Sequence, residues 1–82
     1  MNNTQIKYPN RLKEIRKTKR LTQFEVARHL GMQSQDRISH WEKGQAIPSV
    51  VNLYKLCRFY KVKMDEVYLF PSNGYPQALD LP

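Results

Sequence analysis

A lone cysteine, Cys57, finds no partner in this 82-residue chain. No disulfide framework braces the fold, and that usage suits a reducing cytoplasm. Long apolar runs are also missing. Nothing approaches the ~18 consecutive apolar residues that a membrane span requires. The opening MNNTQIKYPN lacks the apolar stretch of a secretory leader, so none is expected. There are no internal repeats or low-complexity tracts. Chain breakers are scarce in the interior: residues 10–69 hold one proline, Pro48, and two glycines, Gly31 and Gly44. Acidic side chains are few, seven against fourteen Lys and Arg, which leaves a net charge of +7. Such an excess fits either a polyanionic partner, nucleic acid first, or a merely soluble basic surface. The apolar residues that are present, 40% of the chain, suffice for one core, and the length predicts a single domain near the lower limit for independent folding.

Helical periodicity fills the interior. Pro9 is placed to open a first helix, because proline is tolerated where no intrahelical donor is needed. That helix is expected from Asn10 to about Lys19, with Leu12 and Ile15 on one face and Lys13, Arg16, Lys17, Lys19 and Arg20 around them. LTQFEVARHLG predicts a second helix: Thr22 caps it, and Glu25 three residues later completes a capping box. Val26, Ala27 and Leu30 form its buried stripe, and Gly31 suits the left-handed position that ends a helix. SQDRISHWEKG predicts a third helix, stopped by Gly44. Ser49 should cap a fourth in IPSVVNLYKLCRFYKV, with Val50, Leu53, Leu56, Cys57 and Tyr60 as its inward stripe. A short fifth helix should cover Met64 to Leu69. The remaining FPSNGYPQALDLP holds three prolines and a glycine and cannot be one regular helix. The fold class read from this pattern is all-α, a compact bundle of five helices.

The third helix is unusual in owning only two large apolar residues. On a 3.6-residue wheel Ile38 and Trp41 face inward, while Asp36, Ser39, His40 and Lys43 fall on the opposite side and Gln35 and Arg37 flank the first turn. Hydrogen-bonding groups thus project from one face of a helix that follows another across a tight connection. This is the layout of a helix-turn-helix, whose second helix enters the major groove of DNA.

RLKEIRKTKRLTQFEVARHLG, RISHWEKG and IPSVVNLYKLCRFYKVKMDEVY resemble the Cro/repressor-type (xenobiotic-response-element-like) helix-turn-helix domain of transcriptional regulators. The resemblance rests on Leu21-Thr22-Gln23, Ala27, Leu30-Gly31, Ile38-Ser39, Glu42, Gly44, Pro48-Ser49, Leu53, Leu56 and Asp65-Glu66, and spans about three quarters of the chain. It implies a phage-repressor-like DNA-binding domain that pairs as a homodimer on near-palindromic operator half-sites. Three features depart from the family pattern. Gly31 and Ile38 are separated by one residue more than usual, Phe24 stands where a polar residue is preferred, and Lys61 replaces a common helix-ending glycine.

Carried onto matching positions, the resemblance implies base contacts from Gln35 and Asp36, chemically suited to adenine and to cytosine respectively, though either side chain could instead cap the helix. Arg37 suits guanine or phosphate, and Ser39 and His40 continue the same surface one turn on. Gln23 matches a phosphate-binding position beside the capping Thr22. Lys43, Arg11, Lys13 and Lys17 are candidate backbone contacts or simply solvated cations. Arg16 and Glu42 match a family ion pair that fixes the recognition helix to the scaffold. His29 and His40 have no cysteine or carboxylate at ligand spacing, so no metal or other cofactor is expected. No catalytic constellation is apparent, and an enzyme is not expected.

The function expected is a DNA-binding regulator, a repressor acting in the cytoplasm on operator DNA. An antitoxin that uses residues 70–82 to hold a toxin is the alternative. Domain bounds follow: an arm over residues 1–9, the helix-turn-helix domain over 10–69, and a tail over 70–82. Tyr60, Val67, Tyr68, Leu69 and Phe70 are the expected homodimer contact.

Overall fold

The computed structural model describes residues 7–68, and the readings placed on Leu69, Phe70 and the tail lie outside them. Five helices and no strand occur among the described residues: α1 (Leu12–Thr18), α2 (Gln23–His29), α3 (Asp36–Glu42), α4 (Val50–Tyr60) and α5 (Met64–Val67). None of these helices is long and apolar enough to cross a membrane. One core gathers Leu12 and Ile15 of α1, Val26, Ala27 and Leu30 of the α2 region, Ile38 and Trp41 of α3, Leu56 and Tyr60 of α4, and Val67 and Tyr68 at the end of α5.

The helix ends explain why these short segments are helical at all. The Thr22 hydroxyl accepts from the Glu25 N–H at 3.0 Å while the Glu25 carboxylate accepts from the Thr22 N–H at 2.8 Å, a complete capping box. Ser49 accepts from the Asn52 N–H at the start of α4. The start of α1 departs from expectation. Pro9 does not open it; Asn10 Oδ1 accepts from the Leu12 N–H, and the Asn10 amide donates to the Tyr8 and Trp41 carbonyls. An asparagine that bonds on both sides holds the chain in a turn, so the helix begins two residues later than a proline-led start would give. The Arg11 N–H goes instead to the Val67 carbonyl, which ties the first helix to the fifth.

Four helices end in one device, a left-handed residue that lets the next N–H groups turn back onto the last carbonyls. After α2, Gly31 (φ 78°) donates to Arg28 O and Met32 to Ala27 O; after α3, Gly44 (φ 73°) donates to Trp41 O and Gln45 to His40 O. After α1 and α4 the same position is held by Arg20 (φ 60°) and Lys61 (φ 61°). A side chain there costs about 1 kcal/mol relative to glycine.

Two expectations about apolar residues fail. Val50 is not part of the inward stripe; it is 84% exposed. The buried line of α4 is centred on Leu56 and Tyr60, and helical rotation puts Val50 roughly 100° away from it, past the half-buried Leu53 and Cys57. Tyr60, Val67 and Tyr68 are not a free contact surface either, being 1%, 0% and 4% exposed. The short α5 folds them back into the chain's own core.

Candidate nucleic-acid interface

The α3 helix stands on two buried anchors. Ile38 and Trp41 are 2% and 4% exposed, and they press α3 onto α1 and α2. The remaining side of the helix is polar. Asp36, Arg37 and His40 are exposed, as are Gln35 just before the helix and Lys43 just after it, while Ser39 is half-buried. The Ser34 hydroxyl accepts from the Asp36 N–H at 3.0 Å. Capping is therefore done by Ser34, and neither Gln35 nor Asp36 is used for it. The longer turn between Gly31 and Ile38 supplies the room for this extra capping residue.

Behind the helix lies a chain of polar contacts that runs into the scaffold. Arg16 Nε and Nη2 donate to the two carboxylate oxygens of Glu42 at 2.7 and 3.1 Å, and Arg16 Nη1 donates to the Leu21 carbonyl at 2.8 Å. Both side chains are nearly shut off from solvent, and the bond to Glu42 holds the Arg16 guanidinium above its ordinary pKa. The Gln23 amide donates to Glu42 Oε1 at 2.9 Å, and its own oxygen accepts from the Gln35 amide at 3.1 Å. The sequence-predicted residues Arg16, Glu42, Gln23 and Gln35 are thus joined in one network, from the inside of α1 to the exposed start of α3. Tyr60 sits beside it, where burial pushes its phenol above the usual range.

Other candidates are not drawn into this surface. Thr22 spends its hydroxyl on the cap. Arg11, at the α5 end of α1, bonds Glu14 at 3.1 Å, and Lys17 stays an exposed cation in the last turn of α1. The sequence reading missed Asn52. This half-buried polar side chain of α4 lines the same cleft as Ser34, Asp36 and Arg37. Its position in the first turn of a capped helix gave no local signal. Phe24 is 47% exposed, with the Arg28 guanidinium 5.7 Å from its ring centre. Cys57 lies off the site, and burial raises its thiol pKa, which disfavours the thiolate.

Two helices joined by a tight turn, the second anchored by two apolar residues and polar outward, define a helix-turn-helix protein. Residues 12–67 match the family model described as Helix-turn-helix (HTH_3), and the chain belongs to that family. It is similar to an uncharacterized HTH-type transcriptional regulator of Methanocaldococcus jannaschii, 34% identical over 64 residues, covering 78% of this chain and 96% of that protein. It is also similar to an uncharacterized HTH-type transcriptional regulator of Archaeoglobus fulgidus, 33% identical over 63 residues, covering 77% of this chain and 87% of that protein.

Proposed function

We propose that this protein is a sequence-specific DNA-binding transcriptional regulator, a repressor that holds operator DNA as a homodimer and blocks access to the promoter. The observation that carries this reading is the solvent-facing polar side of α3, presented by a helix whose other side is buried and ion-paired to the scaffold. In the proposed complex Gln35, Asp36, Arg37, Ser39 and His40 face base edges in the major groove. Gln23 and Lys43, which adjoin α3, lie toward the phosphates, while Thr22, Arg11 and Lys17 stand apart from it. Glutamine offers both a donor and an acceptor to adenine, arginine two donors to guanine, and aspartate an acceptor to the cytosine amine. The net charge of +7 supplies a sequence-independent attraction to the duplex. Relatedness to HTH-type transcriptional regulators supports the same assignment.

Selection of bound sequences from random duplex DNA, followed by salt titration of the selected site, tests it. A defined motif should emerge, and with about six phosphate contacts the log–log salt slope should lie near −5. Equal retention of selected and scrambled duplexes would overturn the assignment.

A further inference from the structure

We propose that the outer flank of α4, from Val50 to Arg58, continued by Lys61, Lys63 and Met64, is a docking surface for an acidic amphipathic helix of a partner protein. Val50, Tyr54 and Met64, which are 84%, 61% and 54% exposed, border an apolar groove in which Leu53, Cys57 and Val62 are half-buried. Tyr54 and Arg58 also line a second groove, with His29, Lys55, Phe59 and Lys61, and so stand as a ridge between the two. The ridge is braced: the Arg58 guanidinium lies 5.7 Å from the centre of the Tyr54 ring and donates to its hydroxyl at 3.4 Å. Lys55, Arg58, Lys61 and Lys63 are all exposed, and among the described residues none of them pairs with a carboxylate. No acid lines either groove, Asp65 and Glu66 of the neighbouring α5 included. The base-contact candidates from Gln35 to His40 line neither groove, so an occupant here leaves the polar side of α3 free.

The chemistry of the surface selects its occupant. Val50, Leu53, Tyr54, Cys57 and Arg58 follow one another at spacings of three, one, three and one, a stripe along which another helix packs. An extended peptide would need a sheet edge to pair its backbone groups, and no strand occurs among the described residues. A helix pairs its own. Apolar side chains on one side of that helix fill the groove, and carboxylates beside them meet the four unpaired cations. A nucleic-acid strand would neutralise the cations but would set phosphates against Val50 and Met64. A second copy meeting this face across a twofold axis would bring the same four cations against themselves. Residues 69–82 of the chain carry one acid, Asp80, too few to match them. A bilayer surface is flat and leaves the groove unfilled. The apolar part of the surface is roughly 400 Å², which places the contact in the small, transient class.

The test titrates the full chain with a synthetic peptide of about 16 residues, long enough to form a helix by itself, with leucines along one face and glutamates on its borders. Fluorescence anisotropy reads the affinity, and nuclear magnetic resonance shifts read the footprint. Shifts should fall on Val50, Tyr54, Cys57 and Met64 and spare Asp36, Arg37 and His40. Arg58→Glu combined with Lys63→Glu should weaken binding about tenfold. Val50→Glu should weaken it from the apolar side, and far-UV circular dichroism checks that both variants keep their helices. A peptide with lysine in place of glutamate, and one with the same residues shuffled, should bind about tenfold more weakly or less. Equal binding of either control overturns the proposal, as does a titration that leaves the groove residues unshifted. Displacement of the acidic peptide by a mixed-sequence duplex or by anionic lipid vesicles overturns it too, by assigning the cations to those surfaces. So do shifts of Val50 and Met64 on dilution of the free protein, which would give the groove to a second copy, and nuclear Overhauser contacts from Met64 to Leu79 or Leu81, which would give it to the chain's own end. If the peptide binds as described but the chain selects no DNA sequence, this surface stands and the DNA reading falls.

Discussion

Arg16 and Glu42, twenty-six residues apart in the chain, meet through two hydrogen bonds of 2.7 and 3.1 Å inside the protein. The pair fastens the end of α3 to the middle of α1. Because it is nearly closed off from water, removing one partner strands the other as a buried charge. Glu42→Ala should therefore lose about 3–5 kcal/mol in urea denaturation, whereas Arg16→Met combined with Glu42→Leu should recover most of that loss. A cost of under 1 kcal/mol for Glu42→Ala would mean that the pair is solvated in solution.

Gln23 and Gln35 share a 3.1 Å bond, yet their proposed tasks differ. Gln35→Ala and His40→Ala should each relax preference at particular base positions by about 1–3 kcal/mol when binding is measured against a panel of duplexes. Gln23→Ala should weaken every duplex to a similar extent and leave the salt slope nearly unchanged, because a neutral amide displaces no counterion. A position-specific loss from Gln23→Ala would reverse its assignment.

Left-handed Arg20 and Lys61 carry strain that their glycine counterparts avoid. Arg20→Gly and Lys61→Gly should each raise stability by about 1 kcal/mol in thermal or chemical unfolding. Gly31→Ala should do the reverse by a similar amount, and for a backbone reason alone: a Cβ built there meets nothing within 4 Å, but φ is +78°. Equal stabilities across all three variants would show that these turns relax freely.

Alkaline unfolding should reveal the buried phenols. Burial pushes Tyr68 up to about 12 and raises Tyr60 as well. Above pH 10 the unfolded phenol loses its proton while the native one retains it. The native state then binds more protons, so stability falls as pH rises. The loss should begin near pH 10 and amount to roughly 2 kcal/mol by pH 12 from Tyr68, with Tyr60 adding to it. Among the described residues the Tyr68 hydroxyl is buried and has no hydrogen-bond partner. Tyr68→Phe should therefore reduce the alkaline loss and, at neutral pH, raise stability by about 1 kcal/mol.

What could be read from the sequence was the chemistry of near neighbours. The capping box at Thr22 and Glu25, the Ser49 cap, the glycine stops and the inward pair Ile38 and Trp41 all depend on residues within one or two turns. The misreadings share the opposite property. Periodicity placed Val50 on the same broad face as Leu53 and Cys57 but could not tell where the packing neighbours stop. Tyr60, Val67 and Tyr68 looked surplus because the docking of α5 on α1, through the Arg11 N–H and the Val67 carbonyl, joins opposite ends of the domain. At the candidate site, the exposure of Asp36, Arg37 and His40 followed from the helical wheel. The Gln23–Gln35 bond and the place of Asn52 beside Asp36 did not, since both require the mutual angle of separate helices.

The network from Arg16 through Glu42 and Gln23 to Gln35 has a consequence for how this protein can acquire new targets. Replacing Gln35 changes a proposed recognition group and loosens the end of a structural chain in the same step. Among the described residues no hydrogen bond engages the side chains of Arg37, Ser39 or His40, so these three can vary without disturbing the foundation. Drift toward a different operator is thus easiest along the middle of α3, and the glutamine at its head should be the last letter to be rewritten.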